Sequence, residues 1–185
     1  MPRTRDVAVV ATFTGMIVGS DFALSGVTNV KLLDTLVFTS AYLFGLRVGL
    51  AAGVISETIW SFASPIGPAG PIAPFLIAGE GIFAFAGWGA RRIWGVDSVP
   101  VTANSLFFGG MMAICAFLWD LETNTATAYI AYWPSLNFAL WLNTSFGFFT
   151  MPFNVAHEVS DFAFGVLLVP ALIALIPRIS GGRFR

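Results

Sequence analysis

Six apolar stretches follow one another along this chain with few charges to interrupt them: Val7–Leu24, Leu32–Leu46, Val48–Ala63, Ile72–Ala90, Val99–Leu121 and Val155–Ile176. A helix needs about 20 mostly apolar residues to cross the hydrocarbon of a bilayer, and fewer where its flanks snorkel. Of 185 residues, 57% are hydrophobic and 10% charged. Soluble domains average about 25% charged residues, so in water this chain would show apolar surface on every side. The expected fold is all-α: a polytopic membrane protein of six transmembrane helices, one integral domain over residues 1–185. Met1–Arg5 and the apolar run after it have the look of a signal peptide, but no small-x-small cleavage site follows, so the segment is read as a retained first helix. Nucleic acid is excluded as a partner, because nine basic residues and a net charge of −1 give no positive footprint. A single cysteine, Cys115, allows no intramolecular disulfide and no multi-cysteine metal site.

The basic residues set the number of crossings through the positive-inside rule. With a cytoplasmic N-terminus, six crossings put Arg3, Arg5, Arg47, Arg91, Arg92, Arg178, Arg183 and Arg185 on one side and leave only Lys31 outside. A seventh crossing would send the C-terminal arginines out. The apolar segment Ala126–Phe153, divided by Pro134 and closed by Pro152, is therefore an extension of the fifth span, a re-entrant piece or an outer-surface segment.

The acids show the opposite bias. At about 1.5 Å of rise per residue, eight of the ten acidic residues fall in the outer half of the bundle, and only Asp6 and Asp97 are cytoplasmic. A carboxylate at mid-membrane costs at least about 2.5 kcal/mol, so such residues face a bundle interior or a water-filled cavity. Gly45, Gly49 and Gly53 recur every fourth residue and lead to Glu57. Glu80 continues through Ala84, Gly87 and Arg91, and Asp161 stands four residues before Gly165. Small faces pack helix on helix, with acids at their outer ends. This pattern describes an outward-facing acidic cavity.

Several local motifs admit two readings. Ser64–Pro74, with proline every third residue, is either an extended, stiff lid over the cavity or an ordinary connection. Ala11, Gly15 and Gly19 form a small-residue ridge for a helix of this chain or of a separate protein. Asn29 is placed to cap the second helix, with Lys31 and Asp34 paired locally; alternatively Lys31 binds ligand directly. Trp60, Trp119 and Trp133 stack on a ligand or anchor the bundle. His157-Glu158-Val159-Ser160-Asp161 is similar to the zinc-protease pattern H-E-x-x-H with Asp for the second His, although the chain has no other histidine.

The run Asn29-Val-Lys-Leu-Leu-Asp34, then Phe44-Gly45-x-x-x-Gly49, Ser56 and Pro65-x-Gly67, with Gly79-Glu80, Gly87-x-Gly89 and His157-Glu158-x-Ser160, resembles the substrate-binding (S) components of energy-coupling factor (ECF) type ABC transporters over nearly the whole chain. The resemblance implies a six-helix protein of a prokaryotic plasma membrane, with cytoplasmic termini. It captures a vitamin, trace metal or related micronutrient from outside and works with a transmembrane coupling protein and two cytoplasmic ATPases. It also implies that Ala11, Gly15 and Gly19 meet the coupling protein and that the loops holding Lys31 and residues 64–74 gate the site. Ser64 and Asp161 stand where the family commonly has Asn, so a relative's substrate does not carry over.

The function expected is thus a capture subunit, not an enzyme, with no cofactor or resident metal. The substrate-binding set is Lys31, Asp34, Glu57, Trp60, Glu80, His157, Glu158 and Asp161. So many carboxylates against one lysine call for a ligand that is cationic or rich in hydrogen-bond donors. No nucleotide-binding G-x-x-x-x-G-K-[ST] run is present, so the energy comes from a partner or an ion gradient. The alternatives are a small ion-coupled transporter using the same carboxylates as relays, and an intramembrane metalloenzyme built on His157.

Overall fold

A computed structural model describes residues 4–94 and 104–179. Arg3, Asp97, Val99, Arg183 and Arg185 lie outside the described residues. The described chain is helical, with no strand: α1 (Thr4–Leu24), α2 (Leu33–Phe44), α3 (Leu46–Ala63), α4 (Ala73–Trp94), α5 (Ser105–Tyr132), α6 (Phe138–Phe146) and α7 (Met151–Ile179).

Polarity is distributed inside out. Phe148, Phe149, Leu106, Ile93 and Phe138 are exposed, whereas Asp34, Glu57, Glu80, His157 and Asp161 are buried. In water this arrangement would be doubly unfavourable. In lipid it is the expected one, since exposed apolar side chains meet hydrocarbon and polar groups gather inside the bundle. The described structure is all-helical, and its apolar helices are compatible with a membrane protein.

Four helical segments are long and apolar enough to cross a bilayer: Thr4–Leu24, Gly70–Trp94, Ser105–Tyr132 and Met151–Ile176. Two of the six expected spans fall short of that measure. The 12 residues of α2 rise only about 18 Å against a hydrocarbon core of about 30 Å. The hydropathy of α3 is lowered by Arg47, Glu57 and the hydroxyls of Ser56, Thr58 and Ser61.

α2 is instead the hub. Every residue from Leu33 to Leu43 is buried, and the helix packs against α1, α3, α4 and α7. An element enclosed on all sides needs no polar face. Gly45, at φ 96°, turns the chain from α2 directly into α3, and Arg91 donates to the carbonyl of Leu43 at 2.9 Å, closing the end of α2. The glycine stripe acts as its spacing implies: a Cβ on Gly49 would collide with Ala41, and one on Gly53 would press on Glu80 Cβ at 3.1 Å. Gly109 of α5 and Gly165 of α7 meet in the same way, so these long helices run in close contact.

Residues 126–132 extend α5, as one of the sequence readings had it. After the cis Trp133–Pro134 bond, the nine-residue α6 packs on α5 and is too short to cross a bilayer. The proline-rich link is not the extended strut that its repeat suggests. Gly67 and Gly70 take positive φ and break the repeat into turns, with Ala69 N–H bonded to Ser61 O at 2.8 Å and a 3-10 turn at Gly70–Ile72. The small-residue ridge of α1 faces outward. Ala11, Gly15 and Gly19 are exposed, and a Cβ on either glycine would meet nothing within 4 Å, so no helix among the described residues occupies the ridge.

Candidate functional site

α2, α3, α4, α5 and α7 each bring one carboxylate into the interior: Asp34, Glu57, Glu80, Asp120 and Asp161, all at most 4% exposed. At the centre is His157, itself fully buried. Its Nε2 lies 3.0 Å from Asp34 Oδ2 and 3.9 Å from Asp161 Oδ2, and its Nδ1 lies 3.2 Å from Asp120 Oδ1. A carboxylate oxygen can only accept. The two short contacts therefore need a proton on each ring nitrogen, or one shared with a carboxyl. The Trp119 indole meets the imidazole edge-on at 5.2 Å.

Asp161 stands one turn after His157 on α7, which puts both on one face. Glu57 is held by its own helix, the Ser61 hydroxyl donating to Oε1 at 3.0 Å. Other oxygens find no partner among the described residues: both of Glu80, both of Asp161, and one each of Asp34, Glu57 and Asp120. A buried polar atom left unpaired costs about 1–3 kcal/mol, more when charged. So dense a concentration of carboxylates in a low-dielectric interior is balanced by protons on some of them or by a cation.

A cavity of about 220 Å³ lies at the Lys31 end of the bundle, lined by the α1–α2 loop, Trp60, Ile66 and Phe153 and by none of the five carboxylates. Asp21 and Lys31 belong to the cavity wall and to the electrostatic field of the centre alike. The Lys31 Nζ rests 4.5 Å over the Trp119 ring, and the local ion pair expected with Asp34 does not form. Burial works against its charge, but Glu57, Asp34, Glu80 and Asp21 outweigh it and hold the ammonium above the ordinary lysine range.

Asn29 does not cap α2, whose N-cap position is Leu32 and which has no side-chain cap. Asn29 takes a left-handed backbone, φ 56°, and donates its amide to the carbonyl of Phe153 at 2.8 Å, tying the cavity rim to the start of α7. Asp21 accepts from the Leu32 N–H at 3.3 Å instead.

Of the residues singled out from sequence, Asp34, Glu57, Glu80, His157 and Asp161 converge. Lys31 and Trp60 line the cavity, with Trp60 packed edge-on against Phe22 at 5.8 Å. Glu158 is only half-buried and makes no bond within the centre. Trp133 is exposed beside Tyr129. Asp120, Asp21 and Ser61 were missed as site residues, whereas Trp119, one of the tryptophans that sequence offered for stacking or anchoring, stands against the His157 ring. Ser61 was findable, being four residues after Glu57, and Asp120 had already fallen at the outer end of its span. No family model, curated protein or solved structure matches this chain.

Proposed function

We propose that this protein is the substrate-capture subunit of an ATP-driven micronutrient uptake system, as its resemblance to ECF S components implies, and that it performs no chemistry itself. One observation carries the proposal. Glu80 and Asp161, from different helices, each bury both carboxylate oxygens without a partner among the described residues. Polar atoms unsatisfied within the chain gain most from a molecule that brings donors or positive charge.

On this proposal α2 and α3 complete six crossings and both termini lie in the cytoplasm of a prokaryotic cell. Arg91 supports the orientation, since it bonds the end of α2 away from Lys31, leaving the cavity on the outside. The uncovered ridge of Ala11, Gly15 and Gly19 on α1 is the face offered to the coupling protein, which connects the subunit to its two ATPases. Mass spectrometry of what the gently solubilised protein releases, together with uptake in cells with and without the ATPases, tests the proposal. One stoichiometric ligand, cationic or rich in donors, and ATPase-dependent uptake are expected. Uptake that persists without the ATPases and collapses with the proton gradient would overturn it. That result would favour an ion-coupled transporter, for which the bridging of Asp34 and Asp120 by His157 offers a relay.

A further inference from the structure

We infer that the buried centre is a coordination site for a divalent first-row transition-metal ion, held by Asp34, His157 through Nε2, and Asp161, with Asp120 as the positioning residue behind the imidazole. On the capture proposal this ion is the substrate; the coordination chemistry stands without that step.

The distances come first. The three ligand atoms lie within 4.8 Å of one another. Bonds of about 2.0–2.2 Å in a tetrahedral site set neighbouring ligand atoms about 3.3 Å apart. The observed separations from Nε2, 3.0 Å to Asp34 and 3.9 Å to Asp161, bracket that value.

The outer shell agrees. A metal-bound imidazole almost always donates its second N–H to a carboxylate or carbonyl, which fixes ring orientation and tautomer. Asp120 Oδ1 stands 3.2 Å from Nδ1, on the side of the ring away from Asp34 and Asp161. Asp120 is thus placed to orient the ring rather than to ligate.

An internal ion pair gives Asp34 and Asp120 hydrogen bonds to the imidazole but reaches Asp161 only at 3.9 Å, without one. Both its oxygens are unpartnered at 0% exposure, and 3.9 Å from Nε2 is beyond a hydrogen bond. A metal ion satisfies Asp161 and the free oxygen of Asp34 together, and offsets the charge of Glu57 and Glu80 nearby. The donors are one imidazole nitrogen and carboxylate oxygens, without sulfur. That set suits Mn²⁺, Fe²⁺, Co²⁺, Ni²⁺ or Zn²⁺ better than Cu⁺, and the imidazole argues against Ca²⁺ and Mg²⁺.

The test uses the full chain in detergent, stripped with a chelator and titrated with Co²⁺. Binding is read from the visible d–d absorption, from competition by Zn²⁺ and from the rise in melting temperature. One ion per chain is expected. Asp120→Asn should weaken binding about 10–100-fold, with larger losses for His157→Gln and Asp161→Asn and none for Asp6→Asn. Because Asp161→Asn removes a buried charge at nearly constant shape, loss of binding in a variant that still melts cooperatively is not a folding defect. Folded wild-type protein that binds neither Co²⁺, Zn²⁺ nor Mn²⁺ overturns the inference, as does undiminished binding in the His157→Gln/Asp161→Asn double variant. If an organic ligand is released and no metal binds, the inference fails while the capture proposal stands. Metal binding as described, without ATPase-dependent metal uptake, is the reverse outcome.

Discussion

His157 on α7 and Asp34 on α2 stand 123 residues apart in sequence and 3.0 Å apart in the fold, both fully shielded from solvent. Their contact joins the enclosed hub helix to the last helix of the bundle. Removing one partner of a buried pair leaves the other uncompensated, which costs about 3–5 kcal/mol. His157→Gln and Asp34→Asn are each expected to lower stability, the former by more because Asp120 loses its partner as well. The double variant should recover about 0.5–3 kcal/mol relative to the sum of the singles. Unfolding of the detergent-solubilised variants measures this, and strict additivity would mean that the two groups do not act as a pair.

Glu80 presents the opposite case. It is 1% exposed, both oxygens lack partners, and its strongest electrostatic neighbours include the like-charged Asp34 and Glu57. Glu80→Gln keeps the shape and removes the charge. The ligand-free protein should gain about 1–3 kcal/mol while its affinity for a cation falls. A higher melting temperature with weaker binding is the trade-off expected where a site is maintained at the expense of stability. A lower melting temperature would show that the carboxylate has a partner within the chain.

Sequence reasoning reached the helical class, most helix boundaries and five residues of the centre through a single physical rule: charge inside a bilayer must face inward. The rule gives depth along each helix, and depth alone brought Asp34, Glu57, Glu80, His157 and Asp161 to a common level. It does not give rotation about the helix axis, which is why Glu158, one residue from His157, was counted in and Asp120 left out. For Ser64–Pro74, where the sequence leaves a lid and an ordinary connection both open, the backbone path was illegible for a related reason. Its prolines favour an extended chain, but the intervening glycines decide the backbone, and a proline count does not register their positive φ. The shortness of the second span suits a helix packed inside the bundle, as α2 is, but its composition is the same whether lipid or protein surrounds it. Only its neighbours distinguish the two.

The glycines of the bundle fall into two groups, and substitution should separate them. A Cβ on Gly165 would lie 2.8 Å from Gly109 Cα and from the Phe108 carbonyl, both backbone atoms with little room to yield. Gly165→Ala should cost about 1–3 kcal/mol through overpacking. Gly15 has nothing within 4 Å, so Gly15→Leu should alter stability by no more than about 0.5 kcal/mol. If α1 docks on a coupling protein, the same leucine would block the approach. Co-purification from membranes should then fall sharply for Gly15→Leu while its melting curve stays that of the wild type. Unchanged co-purification would remove the ridge from the partner interface.

Lys31 separates a cationic ligand from an anionic one. Its ammonium lies over Trp119 in the field of Glu57, Asp34, Glu80 and Asp21, where it balances part of their charge. Lys31→Met keeps much of the stem and removes the charge. Without ligand, the carboxylates then repel one another with less compensation, and stability should drop. With a cationic ligand, affinity should rise, because the ligand no longer competes with a resident positive group at the cavity wall; an anionic ligand would bind more weakly. The pH dependence follows from the sign of the shift. A lysine held above its ordinary value of about 10.4 contributes its full stabilisation below that value and loses it only as pH rises through the higher folded value. Between about pH 6 and pH 9 the ammonium stays charged, so the stability gap between wild type and Lys31→Met should not narrow as pH rises, and it widens where the surrounding carboxylates ionise. Thermal unfolding across that range and titration calorimetry with Co²⁺ are the two measurements. A gap that closes within the range would show that the ammonium is not held by these carboxylates, and a loss of Co²⁺ affinity in Lys31→Met would show that the lysine assists binding rather than opposing it.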